Sequence, residues 1–148
     1  MVEPRPARGG FVFTISAKGI YGLTAVVELA MSHKSGPVQI RDIATAHGIP
    51  QHYLEQILVV LKKAGFVESF RGAQGGYALA REPRSISVLE LLAVLEGRLE
   101  IVPDDKKGGA LSFFWSEIET TVAGAIDRTL DDLVQEKIRN EQSFVYTI

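Results

Sequence analysis

The chain contains no cysteine. That absence removes disulfides, thiolate nucleophiles and any zinc or iron–sulfur centre built on thiolates. The histidines are His33, His47 and His52, and no two of them share the i, i+4 spacing of paired ligands on a helix. No metal and no cofactor are expected. Long apolar runs are missing as well. Nothing approaches the ~20 residues that cross a bilayer, and the opening MVEPRPARGG has arginines and prolines but no apolar signal segment. The expectation is a cytoplasmic protein with no membrane contact. No Ser/His/Asp constellation has the spacing of an activated nucleophile, so an enzyme is not expected. A strong net charge is also lacking. At −2 overall the chain is not a uniformly basic polyanion binder, but the charge is unevenly placed. Residues 1–98 hold 11 basic and 8 acidic side chains, and residues 99–148 hold 5 and 10, so the front alone has the sign that suits a polyanion.

What is present fits one globular domain: 148 residues, 46% hydrophobic and 23% charged. Residues 1–12 read as a disordered arm. A helix begins near Ser16, a plausible N-cap, and Ile20, Leu23, Val27 and Ala30 fall on one apolar face before the helix ends near His33. Ile40, Ile43 and Ala44 mark a short helix stopped by Gly48, after which Pro50 suits the first turn of another. Leu54, Ile57, Leu58 and Leu61 give that helix, 50–64, one buried stripe, and Gly65 closes it. A short helix, a glycine turn and a longer helix are the parts of a helix-turn-helix.

Residues 66–70 and 77–80 read as strands on either side of Arg71-Gly72-Ala73-Gln74-Gly75-Gly76. A glycine loop of this kind can cradle phosphate, but a P-loop needs Lys-Ser/Thr and a helix next, and a dinucleotide fingerprint also needs a helix. Here a strand follows, so the loop is the tip of a β-hairpin. Ser87-Val88-Leu89-Glu90 is a capping box for a helix running to about Leu95, with Ile86 and Leu91 placed as its staple. Residues 97–111 form a long connection without periodicity. From Ser112, Trp115, Ile118, Val122, Ala125 and Thr129 repeat at helical spacing, with Phe114, Ile126, Leu130 and Leu133 widening the stripe. Thr129-Leu130-Asp131-Asp132 is itself a helix start, so the chain can break and restart there.

Three helices followed by a hairpin make a winged helix. The expected fold is mainly α with that small hairpin, plus a long C-terminal helix. The second helix of such a motif lies in the major groove, and a wing arginine suits the negative potential of a narrow minor groove. The candidate DNA-binding residues are Gln51, His52, Tyr53 and Glu55 on the reading helix, Arg71 and Gln74 on the wing, and Lys18 near the start of the first helix. Gln pairs bidentately with adenine and Glu accepts from the cytosine amino group. Packing is the competing role for Tyr53, an ion pair for Glu55, and simple exposure for His52.

The stretches "ISAKGIYGLTAVVELA" and "IRDIATAHGIPQHYLEQILVVLKKAGFVESFRGAQGGYALAREPRSISVLELLAVLEG", with the later "TLDDLV", resemble the IscR/NsrR/CymR class of bacterial winged-helix transcription regulators. The resemblance spans roughly residues 13–135. It implies a homodimer on palindromic double-stranded DNA, joined through the C-terminal helix, with Trp115, Ile118, Val122, Ala125 and Ile126 as the seam. It also implies a signal entering through the loop before that helix. Members with an iron–sulfur cluster carry three cysteines in that loop, and residues 97–111 have none, so the chain resembles the cluster-free branch. The implied division is 1–12 arm, 13–96 winged helix-turn-helix, 97–111 sensor-position loop and 112–148 dimerisation helix with a C-terminal segment. A repressor is the expected activity, with a protein partner or small effector at the 97–111 loop. The alternative is a winged-helix module acting mainly through a partner protein.

Overall fold

The computed structural model describes residues 14–147; the arm read at residues 1–12 lies outside them. Six helices and one hairpin follow in the order α1 (Ala17–Met31), α2 (Ile40–His47), α3 (Gln51–Lys63), β1 (Val67–Phe70), β2 (Gly76–Leu79), α4 (Val88–Glu96), α5 (Ser112–Ile126) and α6 (Leu130–Thr147). This is the winged-helix order read from the sequence, with each strand within one residue of its expected bounds.

The turn between α2 and α3 follows from Gly48, which sits in the left-handed region at φ 64° and donates its N–H to Ala44. Leu54, Ile57, Leu58 and Leu61 on α3 are all buried, as their spacing requires, and they meet Ala25, Val26 and Leu29 of α1 in one core. Val67 and Leu79, cross-strand partners in the hairpin, close its floor. Full burial of a Leu or Ile contributes roughly 1.5–3 kcal/mol, so these side chains dominate the cohesion of the unit.

Helix α1 departs from the expected face. Its buried residues are Gly19, Gly22, Ala25, Val26, Leu29 and Ala30, whereas Ile20 is 52% exposed and Leu23 and Val27 are only half-buried. The cause is the pair of glycines. A Cβ at Gly22 would lie 2.4 Å from Leu95, and one at Gly19 would lie 2.3 Å from the Glu96 carboxylate. Close approach of α4 therefore selects the glycine face, which a hydropathy pattern does not mark. The Ile20, Leu23 and Val27 face lines an apolar cavity of about 440 Å³ with Leu92 and Leu133, while Leu23 and Val27 also pack against the edge of the core and Ala30 lies within it. Ser16 stands at the N-cap position but makes no side-chain cap bond. Its N–H and hydroxyl both donate to Glu96, which also accepts from the N–H of Gly19. The end of α4 thus caps the start of α1.

The C-terminal segment is two helices. The break falls at 127–129, where Thr129 and Asp132 cap each other reciprocally. Backbone bonds from Val88 to Arg128 and from Leu130 to Ile86 tie the break to the start of α4. Leu130, read as part of the α5 stripe, is instead fully buried in the core, joined there by Val134. So α6 turns back onto the winged helix, and α5 is left without a single buried residue.

Candidate nucleic-acid interface

The wing is anchored more firmly than a free hairpin. Val38, just ahead of α2, pairs antiparallel with Tyr77 through two backbone bonds of 2.8 Å. Gly76 is compelled by this pairing: it sits at φ 138°, and a Cβ there would lie 2.3 Å from the Val38 carbonyl oxygen. Lys62 at the end of α3 donates to the Ser69 hydroxyl on β1 at 2.6 Å. The wing is therefore held against both helices of the motif.

Between wing and reading helix lies a cleft of about 370 Å³, with Gln51 and Glu55 on one wall and Phe70, Gly72 and Tyr77 on the other. Arg71 is not itself among the lining residues, although Phe70 and Gly72 on either side of it are. Arg71 and Gln74 are both exposed at the wing tip.

On α3, Gln51 is exposed and its amide donates to Glu55 at 3.4 Å. The His52 side chain is 85% exposed, with Glu55 at 3.9 Å and Gln56 at 3.2 Å. Tyr53 is half-buried, and its ring meets Tyr21 of α1 edge-on at 5.8 Å. Burial raises the Tyr77 hydroxyl pKa, and the Glu55 carboxylate adds to the shift. Lys18, in the first turn of α1, is half-buried and does not line the cleft. Gln39 and Arg41 do line it. Sequence reasoning missed them because they stand at the start of α2, ahead of the reading helix to which base contact was assigned.

A short helix, a left-handed glycine, a reading helix and an anchored wing facing one cleft are the parts of a winged-helix DNA reader. Residues 15–136 match the Rrf2 family, described as an iron-dependent transcriptional regulator. The chain belongs to the Rrf2 family. It is 38% identical over 138 residues to the HTH-type transcriptional regulator CymR of Bacillus subtilis, covering 90% of this chain and 99% of that one. The solved structure of CymR, the global cysteine regulator of B. subtilis, superposes with a TM-score of 0.74 at 37% identity, covering 84% of this chain and 98% of CymR. The structure of T. potens IscR gives 0.72 at 40% identity, covering 84% of this chain and 88% of that one. This Rrf2 protein is accordingly a DNA-binding transcription regulator, not an enzyme.

The iron in the family description does not suit this Rrf2 chain. Iron–sulfur clusters are held by cysteine thiolates, and the sequence has none. Among the described residues no three His, Asp or Glu side chains converge as metal ligands either. The 97–111 loop is instead fastened by charge. Lys107 bridges Asp104 at 2.9 Å and Glu119 of α5 at 3.0 Å, and Arg98 reaches Asp104 at 2.8 Å. Glu119 also accepts from the N–H groups of Ile101 and Val102. Lys107 holds the Glu119 carboxyl below its ordinary pKa, with the two N–H groups adding to the effect, and Lys107 then Arg98 do the same for Asp104.

Proposed function

We propose that the protein is a homodimeric repressor that reads a palindromic operator in the bacterial cytoplasm. In this reading residues 13–96 are the DNA-binding unit, helix 50–64 enters the major groove, and the wing grips the flank with Arg71 and Gln74. Gln51, His52 and Glu55 meet base edges. Trp115, Ile118, Val122, Ala125 and Ile126 of α5 form the seam between two copies. A small effector or a protein partner acts at the 97–111 loop, which joins reader to seam.

The observation that carries the reading is the shared cleft: Gln51, Glu55 and the residues flanking Arg71 open onto one face. The exposed apolar length of α5 supports the dimer, because Phe113 at 69% and Phe114 at 43% exposure need cover in water. The cavity beneath the loop, about 170 Å³ against Leu92, Ala93 and Ile126, is smaller than a usual ligand site, which favours a very small effector or a protein partner there.

The test is selection of a duplex from a random pool, followed by titration across a salt series. The expected product is an inverted repeat with half-sites about one helical turn apart. Arg71→Ala should weaken binding and make its salt dependence shallower; identical affinity and slope would remove the wing from the account. Enrichment of no duplex, with a stoichiometric protein partner captured instead, would favour the interaction-module alternative.

A further inference from the structure

The cleft contains a polar chain that no motif marks. The Gln39 amide donates to the Ala73 carbonyl at the wing tip at 3.3 Å, and its oxygen accepts from an Arg41 guanidinium N–H at 3.3 Å. One side chain thus ties the wing to the first turn of α2 and orients the arginine beside it. Arg41 is exposed, and among the described residues it makes no ion pair. Its remaining N–H groups are therefore available beside the cleft between wing and α3. Across the same cleft stands Glu55, a carboxylate that repels phosphate.

We propose that Arg41 holds a backbone phosphate of the bound duplex, oriented by Gln39, and that Gln39 couples this contact to the pose of the wing. The ligand is a phosphodiester between the base read by α3 and the flank gripped by the wing. A guanidinium suits it because its fork matches phosphate oxygens in two parallel bonds. It also brings a positive charge to the cleft that Glu55 lines. Arg41 reads no base, and its contribution is the same on every sequence.

The inference rests on DNA binding by this face and is tested on full-length protein. Fluorescence anisotropy would follow the selected duplex and a random duplex of equal length across a salt series. Each phosphate contact adds about 0.9 to the slope of log K against log salt. In the proposed dimer Arg41→Ala removes one contact from each protomer, so it should lower that slope by about 1.8 and weaken both duplexes by a similar factor, with an unchanged melting temperature because the side chain is exposed. Arg41→Lys should keep the slope but bind less tightly, since a point charge lacks the two-pronged fork that matches phosphate oxygens. Gln39→Ala should weaken binding, and the loss on adding Arg71→Ala should be smaller than in the Gln39-containing protein, because the wing is no longer held. An unchanged slope in Arg41→Ala overturns the phosphate contact, and strict additivity of Gln39→Ala with Arg71→Ala overturns the coupling. A wild-type protein that binds neither duplex overturns the DNA-binding reading itself, a different result from either.

Discussion

Glu119 illustrates how a single side chain replaces what a chain without cysteine cannot build. It reaches from α5 to Lys107 and to two backbone N–H groups of the 97–111 loop, so one carboxylate sets the loop's distance from the helix. Its pKa is depressed, as is that of Asp104. A carboxylate with a depressed folded-state pKa stabilises the fold above its ordinary value and loses that contribution as pH falls through the lowered one. The loop should therefore stay fastened at neutral pH and loosen as pH drops below the ordinary values of 4.5 for Glu119 and 3.8 for Asp104. Amide exchange at Ile101 and Val102 is the readout. In Glu119→Gln the exchange at these amides should already be faster at neutral pH, and equal protection in variant and wild type would show that the loop is held by something else. None of this was legible in the sequence. Lys107 and Glu119 stand on either side of the start of α5 and match no motif.

At the scale of elements, the wing owes its pose to an extra strand-like contact. The hairpin was evident from its glycine loop and two β-prone runs, and its register pairs Ser69 with Tyr77 and Phe70 with Gly76. The Val38 pairing was not evident, because one residue of strand leaves no periodicity. Gly76 registers that contact: its positive φ and the Val38 carbonyl both exclude a side chain. Gly76→Ala should cost about 1–3 kcal/mol and detach the wing, seen as a lower melting temperature and faster exchange at Val38 and Tyr77. Gly108→Ala, where a Cβ meets nothing within 4 Å, should stay within about 0.5 kcal/mol of wild type. Helix α1 teaches the same lesson in reverse. Its strongest apolar stripe was legible, but the core took the neighbouring face, because two glycines admitted α4 more closely than any branched side chain would.

For the whole molecule, the question is what covers α5. Eight apolar residues from Phe113 to Ile126 lie on a helix none of whose residues is buried, and α6 has already left to complete the core through Leu130 and Val134. The proposed dimer seam would cover it. Val122→Glu together with Ile118→Glu should give a folded monomer by light scattering, since neither residue is buried in the single chain, and should abolish tight binding to an inverted repeat. A double variant that remains dimeric would move the seam elsewhere. Loss of one half-site contact should also lower the salt slope, because fewer phosphates are neutralised.

Local signals were sufficient for the order of elements, the turn at Gly48, the stripe on α3, the hairpin, the restart at Thr129 and the exclusion of a thiolate-bound metal. Each depends on neighbours within a turn or two, which is the range over which periodicity, capping and donor chemistry act. Which face of α1 turns inward, where Leu130 goes, how the wing is pinned and which charges fasten the loop were decided only by tertiary packing. Those outcomes depend on how closely two distant backbones approach, a quantity set by side-chain volume at the contact and carried by no single stretch of chain.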